Sequence, residues 1–430
     1  MRMAPRFLSR LFSSRWEELG VLADALISER GEASGVALAR ELLDAYTSAS
    51  PEVKLEFLKL LAERFGAEPK RIEEAIAKYQ AAPGPELARG LHEAAEARLQ
   101  ELLRRLNLAP GGTEVLVRMR EDVLRKIPGH PELKRIDADF RHLFVSWFNR
   151  GFLMLRRIEW STPASILEKI IQYEAVHEIN GWTELRARLD PPDRKCFAFF
   201  HPTLVDEPLI FVEVALTRSI PDSIAPLLDA SRLPIDPKRA TTAVFYSISN
   251  CQDGLQGVSF GNFLIKQVVE ELRREMPHLR TFVTLSPVPG FTQWLKRDAK
   301  ALLPQAELEI LRAIDTPEWY RSADTETVLR PLLSKAVATY LLVAKHSSGK
   351  PRDPVARFHL NNGARLERVN WLGDVSPKGM REAAGFMVNY VYDLDEIETN
   401  HEEFAHNQAI ASSRHVRNLL RAKPQVTKAS

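Results

Sequence analysis

Residues 241–286 read TTAVFYSISNCQDGLQGVSFGNFLIKQVVEELRREMPHLRTFVTLS. The opening TTAVFYSIS concentrates β-branched and aromatic residues in a short run, which suits a buried strand. NFLIKQVVEELRREM then repeats its apolar residues at spacings of three and four, as an amphipathic helix does. RTFVTL returns to strand character and ends at Ser286, where Pro287 and Pro289 stiffen the following turn. Between the first strand and the helix lies a glycine-bearing loop. Such a loop lets backbone N–H groups converge on an anion, helped by the positive end of the helix dipole. Gly254, Gly257 and Gly261 would remove side chains where a phosphate approaches.

Outward from this segment the same strand character continues. CFAFFHP and PLIFVEVALT precede it, so that with TTAVFYSIS they make three consecutive antiparallel strands. Further upstream, FLMLRRIEW is a strand, STPASILEKIIQYEAV a helix starting at Ser161 with Pro163 in its first turn, and GWTELRARL a second helix. Downstream, RFHLNNGARLERVNW has the form of a hairpin, with Asn362 and Gly363 supplying the positive φ values of its turn. Alternation in that hairpin would set Ala356, Phe358 and Leu360 on one face and Val355, Arg357 and His359 on the other. His359 then points away from the apolar face, as a merely solvated histidine also would.

From Trp16 to about Phe148 the period differs. EELGVLADALI, GVALARELLDAY, PEVKLEFLKLLAERF, PELARGLHEAAEARLQELLRRL and GTEVLVRMREDVLRKI are amphipathic helical runs separated by proline and glycine. They carry no acid, base or nucleophile in an unusual setting, and read as a packing or oligomerisation module. A chain of 430 residues accommodates two such domains.

Composition narrows the function classes. Lys and Arg number 59 against 57 Asp and Glu, a net charge of +2, so nothing suggests a general attraction to nucleic acid or to anionic membrane. Cys196 and Cys251 lie in apolar surroundings with no CxxC pairing, as buried thiols and not as a disulfide framework or zinc site. No apolar run approaches the roughly 20 residues of a membrane helix. The N-terminal MRMAPRFLSRLFSSRW has four arginines and no acid before Glu17. Mitochondrial presequences share that pattern, and so do basic tails of bacterial proteins; a cytoplasmic location is the expectation, with the mitochondrial matrix as the alternative.

Several short motifs fail on inspection. There is no GxxxxGK[ST] and no GxGxxG. Gly257-Val258-Ser259-Phe260-Gly261 fits GxSxG, but a nucleophile elbow needs its serine straight after a strand, and here some eight residues intervene. HEEFAH, residues 401–406, lacks the spacing of a zincin, so no metal is assigned.

Three segments in order, NCQDGLQGVSFGNFLIKQVVEEL, TLSPVPGFTQWL and FHLNNGARLERVNWLGDVSPKG, resemble the malonyl-CoA decarboxylase family. The resemblance implies an α+β chain: a helical, oligomerisation domain over 1–150, then an acetyltransferase-like (GNAT) domain over 151–430, its mixed, largely antiparallel sheet flanked by helices. It implies a diphosphate loop at Gln256, Gly257, Val258, Ser259, Phe260, Gly261 and Asn262, with Ser259 where the usual pattern has glycine. It also implies that Ser286 and His359 are the catalytic serine and histidine. The expected reaction converts malonyl-CoA to acetyl-CoA and CO2 without metal or organic cofactor. Backbone donors at the end of TAVFYSIS and the start of RTFVTLS would stabilise the enolate. In NYVYDL, Asn389, Tyr390 and Tyr392 can complete the pocket. The expected assembly is a homo-oligomer, a tetramer by the same resemblance, with no nucleic-acid or membrane partner. A GNAT-type acyltransferase and a non-catalytic acyl-CoA-binding regulator are the alternatives.

Overall fold

A computed structural model describes residues 15–28, 31–258, 264–316 and 318–421. The chain divides into two compact units. The first comprises residues 1–154 with the segments 200–207 and 252–260. It is helical: Arg15–Ser28, Glu32–Thr47, Pro51–Arg64, Pro69–Ala81, Pro85–Ala95, Arg98–Asn107, Gly112–Lys126 and Lys134–Trp147. Three of these begin with proline at the first helical position, where its missing N–H costs nothing. Apolar stripes spaced at three and four bury Leu19, Ala23, Leu26, Phe57, Leu61, Leu102, Leu106, Phe140 and Phe144.

The run PELARGLHEAAEARLQELLRRL is two helices, not one. The N–H groups of Arg98 and Leu99 go to the carbonyls of Gly66 and Phe65, which breaks the helical ladder there. Gly254, on the loop segment of this unit, lies against the helix Gly112–Lys126. A Cβ at Gly254 would overlap the Val117 carbonyl. The buried Arg120 donates to the Gly254 carbonyl at 2.8 Å and to Asp137 at 2.9 Å. Gly254 is therefore required by packing against a helix.

The second unit is built on an eight-stranded sheet: β1 (Met154–Ile158), β2 (Arg194–Phe200), β3 (Pro208–Thr217), β4 (Thr242–Asn250), β5 (Thr281–Thr284), β6 (Ser286–Pro287), β7 (Arg365–Asn370) and β8 (Met387–Val391). The order is β1-β2-β3-β4-β5-β8-β6, with β7 on β8. β3 and β4 are antiparallel; β4 carries an extra residue, Tyr246, because Val214 faces Phe245 while Glu213 faces Ser247. β4 and β5 are parallel from Thr242↔Thr281 to Phe245↔Thr284. Beyond that point β4 continues to Asn250 without β5 beside it, so the two strands part. β8 pairs antiparallel with β5, β6 and β7. The helices Ala164–Tyr173, Trp182–Leu189, Leu264–Glu275 and Ala323–Leu342 complete an α+β architecture. Ala215, Val244, Tyr246, Val283, Leu285 and Met387, from β3, β4, β5, β8 and the β5–β6 junction, form a buried cluster with Ile224, on which Ile220, Leu227 and Leu228 pack.

Four local expectations change here. The helix read from Ser161 begins at Ala164, and Pro163 is its N-cap. RTFVTL ends at Thr284; Ser286 opens a separate two-residue strand paired with Val388. Because β4 and β5 are parallel, the end of β4 lies beside the end of β5, so the start of RTFVTLS cannot share a donor site with it. The segment read as a hairpin is the helix Pro354–Asn361 followed by β7. Asp353 accepts the Ala356 N–H and Pro354 takes the first helical position, which starts a helix. Gly363, at φ +80°, terminates it, since the positive φ of a tight turn and of a helix end are the same local signal.

Candidate active site

Ser286 and His359, 73 residues apart in sequence, meet with Oγ 3.1 Å from Nε2. Both are buried, at 6% and 2% exposure, so His359 is not the solvated side chain that a hairpin would have made it. β6 holds Ser286 through its pairing with β8, while the Leu285 N–H turns to the Phe245 carbonyl of β4 at 3.0 Å. His359 comes from the last turn of its short helix.

A directed chain of hydrogen bonds runs through the pair. The Ser286 hydroxyl donates to Oγ1 of Thr284 at 2.8 Å, which leaves Oγ to accept a hydrogen from Nε2. The other ring nitrogen, Nδ1, is 2.8 Å from the Tyr392 hydroxyl. Burial pushes the Tyr392 phenol up, so it stays protonated and donates to Nδ1. Burial also lowers the His359 pKa to about 3, so the imidazole is neutral at neutral pH, with its hydrogen assigned to Nε2 by these partners.

The residues of NYVYDL close around this chain. The Tyr390 ring stacks on His359 with centroids 4.5 Å apart and planes 24° apart. Its hydroxyl is buried and has no hydrogen-bond partner among the described residues. The Tyr390 N–H donates to Thr284 Oγ1 at 3.2 Å, and Asn389 Nδ2 donates to the Thr284 carbonyl at 2.9 Å. Asn389 Oδ1 accepts from Asn370 at 2.8 Å and Arg368 at 3.1 Å. All three residues are fully or nearly fully buried. Thr284, which joins Ser286 to both Tyr390 and Asn389, escaped the sequence reading; its position two residues before Ser286, on the same face of an extended segment, was the available signal.

The glycine loop is described to Val258. Gln256 and Gly257 are exposed and Val258 is buried. The N–H groups of Gln256 and Val258 close tight turns on Asp253 and Leu255, both at 3.0 Å, and Gly257 has φ +73°. Ser259, Phe260, Gly261 and Asn262 lie outside the described residues. Elsewhere, His401 Nδ1 is 2.6 Å from the Asn361 carbonyl and His406 Nδ1 is 3.0 Å from that of Glu402, both on the helix Ile397–Asn407. Among the described residues no group of three or more His, Cys, Asp or Glu could hold a metal ion.

A family model described as the malonyl-CoA decarboxylase C-terminal domain matches residues 151–430, and one described as its N-terminal domain matches residues 65–148. The chain belongs to the malonyl-CoA decarboxylase family. The mitochondrial malonyl-CoA decarboxylase of Anser anser anser is 36% identical over 399 residues, spanning 84% of this chain and 79% of that one. That of Mus musculus is 33% identical over 409 residues, 86% of this chain and 82% of its own. The crystal structure of malonyl-CoA decarboxylase from Rhodopseudomonas palustris has a TM-score of 0.92 at 57% identity, covering 94% of this chain and 100% of that chain. The one from Agrobacterium vitis gives 0.89 at 55%, covering 94% and 99%. Membership in the malonyl-CoA decarboxylase family thus extends across both the helical and the sheet-bearing parts of the sequence.

Proposed function

We propose that this chain converts malonyl-CoA to acetyl-CoA and CO2, with Ser286 and His359 as its catalytic pair. The observation that carries the reading is the buried 3.1 Å contact between Ser286 Oγ and His359 Nε2, backed by Tyr392, in a chain of this family. The thioester is the electron sink. The bonding pair of the carboxylate carbon moves into the thioester as CO2 leaves, which puts an enolate charge on the thioester oxygen. A proton then adds to the α-carbon.

The backbone donors for that oxygen come from the parted end of β4. The Tyr246 bulge supports this, because the extra residue of a bulge stands out of the ladder just where β5 departs. With substrate bound, the Ser286 hydroxyl turns from Thr284 to donate to the malonyl carboxylate, and once CO2 has left it passes that proton to the α-carbon. His359 returns a proton from Nε2 to Ser286 as its Nδ1 takes one from the Tyr392 hydroxyl, and solvent then reprotonates Tyr392. The neutral imidazole offers no fixed positive charge to the carboxylate, so little holds it back from leaving as neutral CO2. Ser286 is not acylated in this scheme.

Residues 256–262 bind the CoA diphosphate, with Ser259 in place of a glycine. Exposed Gln256 and Gly257 support that assignment. No cofactor takes part. Residues 1–150 form an oligomerisation domain and 151–430 the catalytic one, the assembly being a homotetramer in the cytoplasm. Exposed Val21 and Leu108, at 69% and 67%, support the helical part as a subunit contact.

The test is CO2 release from malonyl-CoA by purified protein, with Ser286→Ala and His359→Ala alongside. Loss of at least about a hundredfold in each is expected, as for a positioned proton carrier. Full activity in both removes the assignment. Acyl transfer to an added amine, or CoA-ester binding without turnover, would replace the decarboxylase by one of the two alternatives.

A further inference from the structure

His359 is held by its helix, and the helix is held by Asp353. Asp353 is fully buried and its Oδ1 accepts the Ala356 N–H at 2.6 Å. Its Oδ2 finds no hydrogen-bond partner among the described residues, and burial pushes the carboxyl up to about 7. In a helix of only eight residues this cap satisfies one of the few N–H groups of the first turn. Beside the carboxyl stands the Tyr340 hydroxyl, its pKa raised by burial and by Asp353. Yet Tyr340 donates to the Pro289 carbonyl at 3.0 Å, three residues beyond Ser286. Its ring packs on Phe291 and Trp294 with centroids 5.8 and 5.2 Å away, in the helix Phe291–Arg297 that follows. One side chain thus anchors the segment bearing His359, and its neighbour anchors the segment bearing Ser286.

We propose that Asp353 and Tyr340 are positioning residues that jointly set the Ser286–His359 separation. This rests on the reading of that pair as catalytic. What matters at Asp353 is an acceptor oxygen for the Ala356 N–H and not a negative charge. Neither residue touches the reacting atoms; both act through the pair.

The experiment measures kcat and KM for malonyl-CoA, with thermal melting, in Asp353→Ala, Asp353→Asn, Tyr340→Phe and Ser286→Ala. Asp353→Ala should lose about a hundredfold in kcat with KM unchanged, the size expected of a displacement of about 1 Å. Asp353→Asn keeps the acceptor and should restore kcat to within about threefold of the parent, while Tyr340→Phe should lose about tenfold. If Asp353→Ala does not fold, the other two variants decide. Parental kcat in Tyr340→Phe, or an Asp353→Asn protein that melts normally but stays inactive, overturns the proposal. Full activity in Ser286→Ala would instead refute the catalytic pair itself, so the two failures are distinguishable.

Discussion

The Tyr392 hydroxyl stands 2.8 Å from Nδ1 of His359, and this contact, together with the Thr284–Ser286 hydrogen bond, sets which ring nitrogen carries the hydrogen. Replacing Tyr392 with Phe removes the donor and leaves Nδ1 buried without a partner. The ring then loses one of the two partners that keep its hydrogen on Nε2, the nitrogen facing Ser286. Steady-state kinetics of Tyr392→Phe should show kcat reduced on the order of a hundredfold, with KM for malonyl-CoA nearly unchanged. An unaltered kcat would mean that Tyr392 only fills space.

Buried groups in the second unit titrate in opposite senses. Burial lowers the His177 pKa to about 4, so the unfolded chain takes up its proton first as pH falls. The stability held by neutral His177 is present above its ordinary value near 6.5 and is lost as pH falls through 6.5 toward 4, by about 2 kcal/mol at pH 5. Glu213 behaves oppositely: burial raises it to about 7, so its contribution is full below the ordinary carboxyl range and is lost as pH rises through 7. Urea unfolding at pH 7.5 and pH 5 should therefore show His177→Gln losing less stability on acidification than the parent protein, and Glu213→Gln losing more. Parallel pH dependences in all three proteins would contradict the burial argument.

Gly254 separates packing from phosphate binding. Ala at this position overlaps the Val117 carbonyl, and forced overpacking costs about 1–3 kcal/mol. At about 2–4 °C per kcal/mol for a unit of this size, the melting temperature should fall by several degrees. KM for malonyl-CoA should barely move. A raised KM with unchanged melting would return Gly254 to the phosphate site.

These outcomes trace what the sequence could express. The β-branched runs at 208–217 and 242–250 announced their strands because strand preference is local and their burial is nearly complete. Asn362 and Gly363 misled because the positive φ of Gly363 serves a hairpin turn and a helix end alike, while Asn362 caps the helix at φ −89°. The Asp353-Pro354 pair held the deciding signal, an N-cap followed by proline. The packing role of Gly254 was not legible because its steric neighbour, Val117, is remote in sequence and leaves no trace in the loop itself. Ser286 and His359 were singled out by resemblance alone. Their 3.1 Å approach depends on β6 pairing with β8 and on a cap at Asp353, and both are tertiary facts.

Thr284 fixes the direction of the hydrogen-bond chain. Its Oγ1 takes the hydrogen of Ser286, so Ser286 Oγ faces Nε2 as an acceptor. Val at this position keeps the shape and removes the acceptor. The Ser286 hydroxyl then donates to Nε2, and the ring hydrogen moves to Nδ1, where the Tyr392 oxygen accepts it. The Tyr390 N–H also loses its partner, which costs about 1–3 kcal/mol because the group is buried. Nitrogen NMR of the imidazole should report hydrogen on Nε2 in the parent and on Nδ1 in Thr284→Val, with kcat falling about tenfold or more. Thr284→Ser, which retains the hydroxyl, should restore both the tautomer and the rate. The same tautomer in parent and Thr284→Val would show that Thr284 does not direct the chain, and that the proton reaches Ser286 by another route.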